Sequence, residues 1–163
     1  MGDHRECKKM KKRKMARTSM DEVIEELARR TDHKLLAIWA ADCAERALHY
    51  FEERRPEDDR PRNAIEKLRP WARTGVFGMT DIRMDALAAH AAARDVEKDD
   101  AARSAARAAG QALATAHVPS HAIAAAIYAA TAVRDATIPH DADAATVKER
   151  DWQYRHLLEL VEN

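Results

Sequence analysis

Eight side chains in this sequence are spaced in ways that could do chemistry. Asp42, Glu45 and Arg46 form one group, and His90, Arg94, Arg107, His117 and His121 a second. The second group lies in residues 86–132, which are nearly half alanine and whose polar exceptions also include Arg103 and Gln111. His117 and His121 have the four-residue spacing of a metal pair. A zinc site, however, needs several converging ligands with support behind them. Pro119 stands between the two histidines, so they straddle a helix junction instead of sharing a helical face. The imidazoles are therefore expected to hydrogen-bond backbone groups freed at the broken helix ends, with no metal. Cys43 with a histidine would suggest a nucleophile and its base. No glycine turn flanks Cys43, which falls mid-helix among alanines, so a small buried thiol is expected.

Asp42 and Arg46 are four residues apart. On a helix surface such a pair contributes only about 0.2–0.5 kcal/mol. The other reading is a polar seam in which Asp42 meets Arg94 or Arg107 from neighbouring helices. Alanine-rich neighbours would allow the close approach a seam requires. In this reading Asp42, Glu45, Arg46, His90, Arg94, Arg107, His117 and His121 form a structural or partner-facing seam. None of them is assigned a catalytic role. The sequence holds no GxGxxG, P-loop, HExxH or CxxC, and its four glycines exclude most phosphate-cradling loops, so no cofactor is expected.

The elements that must position these groups are helices. Among 163 residues, 46% are apolar, 5% aromatic and 34% charged, with alanine leading the apolar set. Few glycines and aromatics with much Ala, Arg and Glu favour helix over sheet. The length suits one domain that buries about two-thirds of its unfolded surface. Each alanine buries little area, so the core depends on tight packing and a low side-chain entropy cost.

Ser19, three residues before Glu22, reads as a capping box for a first helix carrying Val23, Ile24, Leu27 and Ala28. Asp32 can cap the next, over residues 33–54, where Leu35, Leu36, Trp39, Ala40, Cys43, Ala47, Tyr50 and Phe51 recur at three- and four-residue spacing. Asp58 or Asp59 can cap a third helix with Pro61 in its first turn; Pro70 bends it or ends it. Further helices are expected over residues 80–97, with Ile82, Met84, Leu87, Ala88 and Ala91 apolar, and over residues 101–117 and 121–136. A last helix over residues 144–161 docks Val147, Trp152, Tyr154, Leu157, Leu158 and Val161. The expected fold is all-α: a compact bundle of six to seven helices with close Ala-mediated packing and short turns.

Charge is spread unevenly. Residues 1–17 carry a net charge of +6 and the remainder −6, for a total of zero. Residues 1–17 read as a basic, solvated tail and residues 18–163 as a single helical domain. Lys8, Lys9, Lys11, Lys12, Arg13 and Lys14 could bind nucleic-acid phosphates by counterion release, although no aromatics are interleaved for base stacking. No apolar stretch follows these charges, so the segment does not read as a secretory signal, and no run is long enough to span a membrane. Two cysteines make no disulfide framework, and a cytoplasmic, reducing location is expected.

Several motifs share a familiar order. They are Leu35-Leu36-Ala37-Ile38-Trp39-Ala40-Ala41-Asp42-Cys43-Ala44-Glu45-Arg46, Asp58-Asp59-Arg60-Pro61-Arg62-Asn63-Ala64-Ile65-Glu66 and Trp71-Ala72-Arg73. They continue through Ala88-Ala89-His90-Ala91-Ala92-Ala93-Arg94, Ala108-Ala109-Gly110-Gln111-Ala112, Ala116-His117-Val118 and Ser120-His121-Ala122. Together, from about residue 32 to 161, they resemble the Imm-five-like immunity-protein family of bacterial polymorphic toxin systems. The resemblance implies an all-helical cytoplasmic protein that binds and neutralises a toxin and has no chemistry of its own. The acidic body would suit a basic toxin domain such as a nuclease, since complementary charge speeds association. Two other readings stay open: nucleic-acid association through the tail, and an enzyme that gathers Asp42, His90, His117 and His121 in one pocket.

Overall fold

A computed structural model describes residues 15–76, 78–96 and 100–163. Seven helices follow in order: α1 (Asp21–Arg29), α2 (His33–Glu52), α3 (Arg60–Thr74), α4 (Met79–Asp95), α5 (Asp100–Ala114), α6 (His121–Ala136) and α7 (Ala142–Glu162). No strand is present among the described residues. The nucleic-acid candidates Lys8, Lys9, Lys11, Lys12, Arg13 and Lys14 lie outside them.

Local chemistry explains most of the boundaries. Asp32 caps α2 by accepting the Lys34 amide at 2.9 Å. Asp58 accepts the Arg60 amide at the start of α3, where Pro61 occupies the first turn. Pro70 does not end α3. It lies near the C-terminus, and the helix runs on to Thr74 before Gly75 closes it with φ of 71°. The Ser19 capping box does not form, and the N-cap of α1 is Met20 with no side-chain cap. Thr18 and Asp21 organise that turn instead. The Thr18 amide donates to Asp21 and the Met20 amide to the Thr18 hydroxyl.

α5 occupies the centre, packed against α2, α3, α4 and α6. Over residues 101–114 only Arg103, Arg107, Gln111 and Ala114 escape full burial. These positions step by four, four and three residues, so they make one narrow strip along an otherwise enclosed helix. Ala102, Ala105, Ala106, Ala108, Ala109 and Ala112 are completely buried. Their small side chains let four helices approach one axis. The larger core groups, Trp39, Phe51, Leu48, Ile65, Leu68 and Leu113, fill the layer around it.

Two expectations about the body require correction. Ala16, assigned to the solvated segment, is 2% exposed, and its amide donates to Thr131 Oγ1 at 3.1 Å. The apolar stripe expected on α7 does not dock as a unit. Val147 and Val161 are exposed, and the buried positions are Thr146, Glu149, Arg150, Gln153 and Leu157. Both sets recur at helical spacing, and the core selects the polar one because partners wait there. On α4, Ile82 is buried as expected, but Met84 and Leu87 face solvent.

Candidate functional site

The eight candidate residues separate into two regions built on different helices. The first lies where α2 meets α3 and α7. Asp42 accepts from Arg69 Nη1 at 2.9 Å and from His156 Nε2 at 2.8 Å. Glu45 receives Arg62 Nη1 at 3.0 Å, and Arg62 also binds Glu52. Arg46 reaches Glu149 through two bonds of 2.9 Å and lies 3.9 Å over the Trp152 ring, against which His156 stacks. The expected pairing of Asp42 with Arg94 or Arg107 does not occur, nor does an Asp42–Arg46 pair along the helix. Arg69 and Glu149 are better placed, because α3 and α7 flank this face of α2.

Behind this surface lies a buried continuation that the sequence reading missed. Arg150 is fully buried, donating to Asp21 Oδ1 and Gln153 Oε1, both at 2.7 Å. Gln153 passes the network on, its side-chain amide donating to the Ala126 carbonyl while its backbone carbonyl accepts Trp39 Nε1 at 2.8 Å. α1, α2, α6 and α7 are thereby joined through one arginine and one glutamine. The only sequence signal was the three- and four-residue spacing of Thr146, Glu149, Arg150, Gln153 and Leu157, which an apolar template passes over.

The first region is balanced in charge, and its titration follows from that. The bond from Arg62 holds the Glu52 carboxyl below its ordinary range, and the bond from Arg60 does the same for Asp58. Cys43 is completely enclosed beside it. Burial pushes its thiol well above its usual value, and the nearby Glu149 carboxylate adds to the shift. A thiol held in its neutral form is a poor nucleophile.

The second region lies where α4, α5 and α6 meet. The His90 ring packs on Gly110 so closely that a Cβ there would come within 2.8 Å of Nε2. Glycine at this point is what lets the imidazole settle on the α5 backbone. Arg94 is one turn beyond His90 on α4, and Arg107 one turn before Gly110 and Gln111 on α5. Across the strip, His121 at the start of α6 donates through Nδ1 to Gln111 Oε1 at 2.7 Å. His90 is held below its ordinary proton affinity, first by burial and then by the positive charge of Arg107, Arg94 and His121. Its Nδ1 is buried without a hydrogen-bond partner. Among the described residues no carboxylate pairs with Arg94 or Arg107.

The remaining members of the alanine-rich pattern lie apart from these contacts. Arg103 donates twice to the Val96 carbonyl and secures the end of α4. His117 is half-buried in the turn after α5. The expectation that His121 would serve a broken helix end is corrected by its bond to the Gln111 side chain. That task falls to His33, whose Nε2 donates to the Thr115 carbonyl beyond the end of α5. Asp42 and His90 belong to separate clusters that share no residue, so the structure does not assemble the pocket an enzyme built on them would need. Among the described residues no three His, Cys, Asp or Glu side chains converge as metal ligands, and no helix is long and apolar enough to cross a membrane.

Residues 26–160 match the model of the Imm-5 like putative immunity protein family, and the chain belongs to that family. Comparison with curated proteins and with solved structures returns no match.

Proposed function

We propose, from this family membership, that the protein is a non-catalytic cytoplasmic binding partner that neutralises a toxin. The observation that carries the reading is the span of the match, which extends from within α1 almost to the end of α7. The site geometry supports it: Cys43 is sealed and neutral, and Asp42 is held by Arg69 and His156. The charge of the body adds a preference. Residues 18–163 carry a net −6, which would steer a basic toxin domain towards it and raise the association rate at low salt.

The test is co-expression with a candidate toxin from a neighbouring gene. Protection of the cells, with a complex that survives purification, is the expected result. Salt should slow association more than it speeds dissociation. Unprotected cells and no complex with that toxin would overturn the reading.

A further inference from the structure

The outer face of α4 is unpartnered. The helix packs on α3 and α5, and Ile82, Ala86, Ala89 and Ala93 are buried on that side. The opposite side carries Thr80, Met84, Leu87 and Ala91 at four- and three-residue spacing. They make a stripe about 16 Å long. Met84 is 63% exposed and Leu87 60%. Among the described residues no other two large apolar side chains are so exposed within one helical turn of each other. Val23, Val76, Val118, Ile138, Val147 and Val161 stand singly, which is ordinary for a surface. The two edges of the stripe differ in charge. Arg83 and Arg94 lie along one edge, and Asp81, Asp85 and Asp95 along the other. Lys67 binds Asp85 and Arg60 binds Asp95, both from α3, so that edge is largely neutralised. Arg83 and Arg94 are exposed and meet no carboxylate among the described residues.

We propose that this face of α4 docks an acidic amphipathic helix of another protein. Aliphatic side chains of that helix lie along Met84, Leu87 and Ala91, and its carboxylates along the edge of Arg83 and Arg94. Apolar contact supplies the attraction, and the small Ala91 lets the partner backbone come close. The forked guanidinium groups take carboxylates through paired hydrogen bonds, which fixes the partner's direction and register. A second copy of the chain fits poorly. Two α4 helices laid antiparallel bring like edges together, so arginine meets arginine. Laid parallel, each offers only Asp81, because Asp85 and Asp95 are already bound. An anionic bilayer would meet the carboxylate edge as well as the arginine edge. The inference goes beyond the toxin reading and holds for any protein that carries such a segment. It also runs against the net −6 of residues 18–163, which by itself favours basic partners.

The experiment titrates the full chain into a fluorescently labelled helical peptide of about 18 residues, with leucines at three- and four-residue spacing and glutamates beside them. A matched peptide carries lysine in place of each glutamate. Anisotropy should show saturable binding of the glutamate peptide, about tenfold or more tighter than the lysine peptide, with amide NMR shifts centred on α4. Leu87→Glu should weaken binding about tenfold or more, as should the double change Arg83→Glu with Arg94→Glu. The double change should also turn the preference towards lysine. Val161→Glu, at an exposed position of α7, should leave binding unchanged. Circular dichroism verifies that each variant is folded. Absence of saturable binding, a lysine preference in the parent, or a folded Leu87→Glu protein that binds like the parent would each overturn the site. So would dimers in sedimentation equilibrium, or capture by phosphatidylserine vesicles, that Leu87→Glu abolishes, because these assign the face to a second copy or to a bilayer.

Discussion

The α2, α3 and α7 region and the α4, α5 and α6 region hold similar residue types, arginines and histidines on alanine-rich helices, with opposite outcomes. In the first, Arg46, Arg62 and Arg69 each meet a carboxylate, and His156 meets Asp42. In the second, Arg94 and Arg107 meet none among the described residues, and His90 Nδ1 has no partner. A matched charge holds helices together, whereas an unmatched one contributes no such link. Partnership therefore separates the two regions more sharply than residue type does.

The comparison can be broken most forcefully at Arg150. Replacing it with Met takes from Asp21 its buried partner and leaves it only the Thr18 amide and the exposed Arg17, so the expected loss is about 2–4 kcal/mol in urea denaturation. The double change with Asp21→Asn should recover part of that loss. A cost near zero for Arg150→Met would mean that the buried network does not hold α7 to α1.

A smaller, asymmetric effect is expected at Arg46 and Glu149. Glu149 is 6% exposed in its side chain and Arg46 43%. Arg46→Gln leaves a buried carboxylate uncompensated and should cost about 1–3 kcal/mol. Glu149→Gln leaves an arginine that water can reach and should cost less. Arg94→Gln and Arg107→Gln should each stay within about 0.5 kcal/mol of the parent, as surface changes do. If they destabilise the fold as much as Arg46→Gln, the contrast between the regions fails.

The smallest effect lies in the pH dependence of stability. His90 has a lowered folded value, so below its ordinary value of 6.5 the unfolded chain binds a proton that the folded one refuses. Stability should therefore fall as pH drops below about 6.5, and level off once folded His90 also protonates. His90→Gln should flatten that slope. Glu52 and Asp58 act at lower pH. Their contribution is present above the ordinary carboxylate values of 4.5 and 3.8 and is lost as pH falls through their lowered folded values. Chemical denaturation at a series of pH values measures both. An unchanged slope between pH 7 and 5 in His90→Gln would show that His90 titrates freely.

Much of the architecture was legible because it is local. The cap at Asp32, the proline in the first turn of α3 and the break at Pro119 act within a few residues. The all-α class, the helix count and the α6 boundaries followed from them. α7 was not legible in this way. Val147 and Val161 share a period with the truly buried Thr146, Glu149, Arg150 and Gln153. Hydrophobicity placed Leu157, Trp152 and Tyr154 against the core but passed over the buried polar positions, because the partners of Arg150, Asp21 and Gln153, come partly from 129 residues away.

The alanine-rich segment shows where this division falls. The sequence alone determined that residues 86–132 form closely packed helices, since alanine favours helix and keeps neighbouring backbones near. It also marked Arg103, Arg107 and Gln111 as a periodic exception. Only the tertiary structure decided that this exception is the solvent-facing strip of residues 101–114 in a central helix, that His90 rests on Gly110, and that Asp42 belongs to Arg69 and His156. Periodicity is set along one helix, whereas the pairing of charges depends on which helices pack together, and that is settled by the whole core.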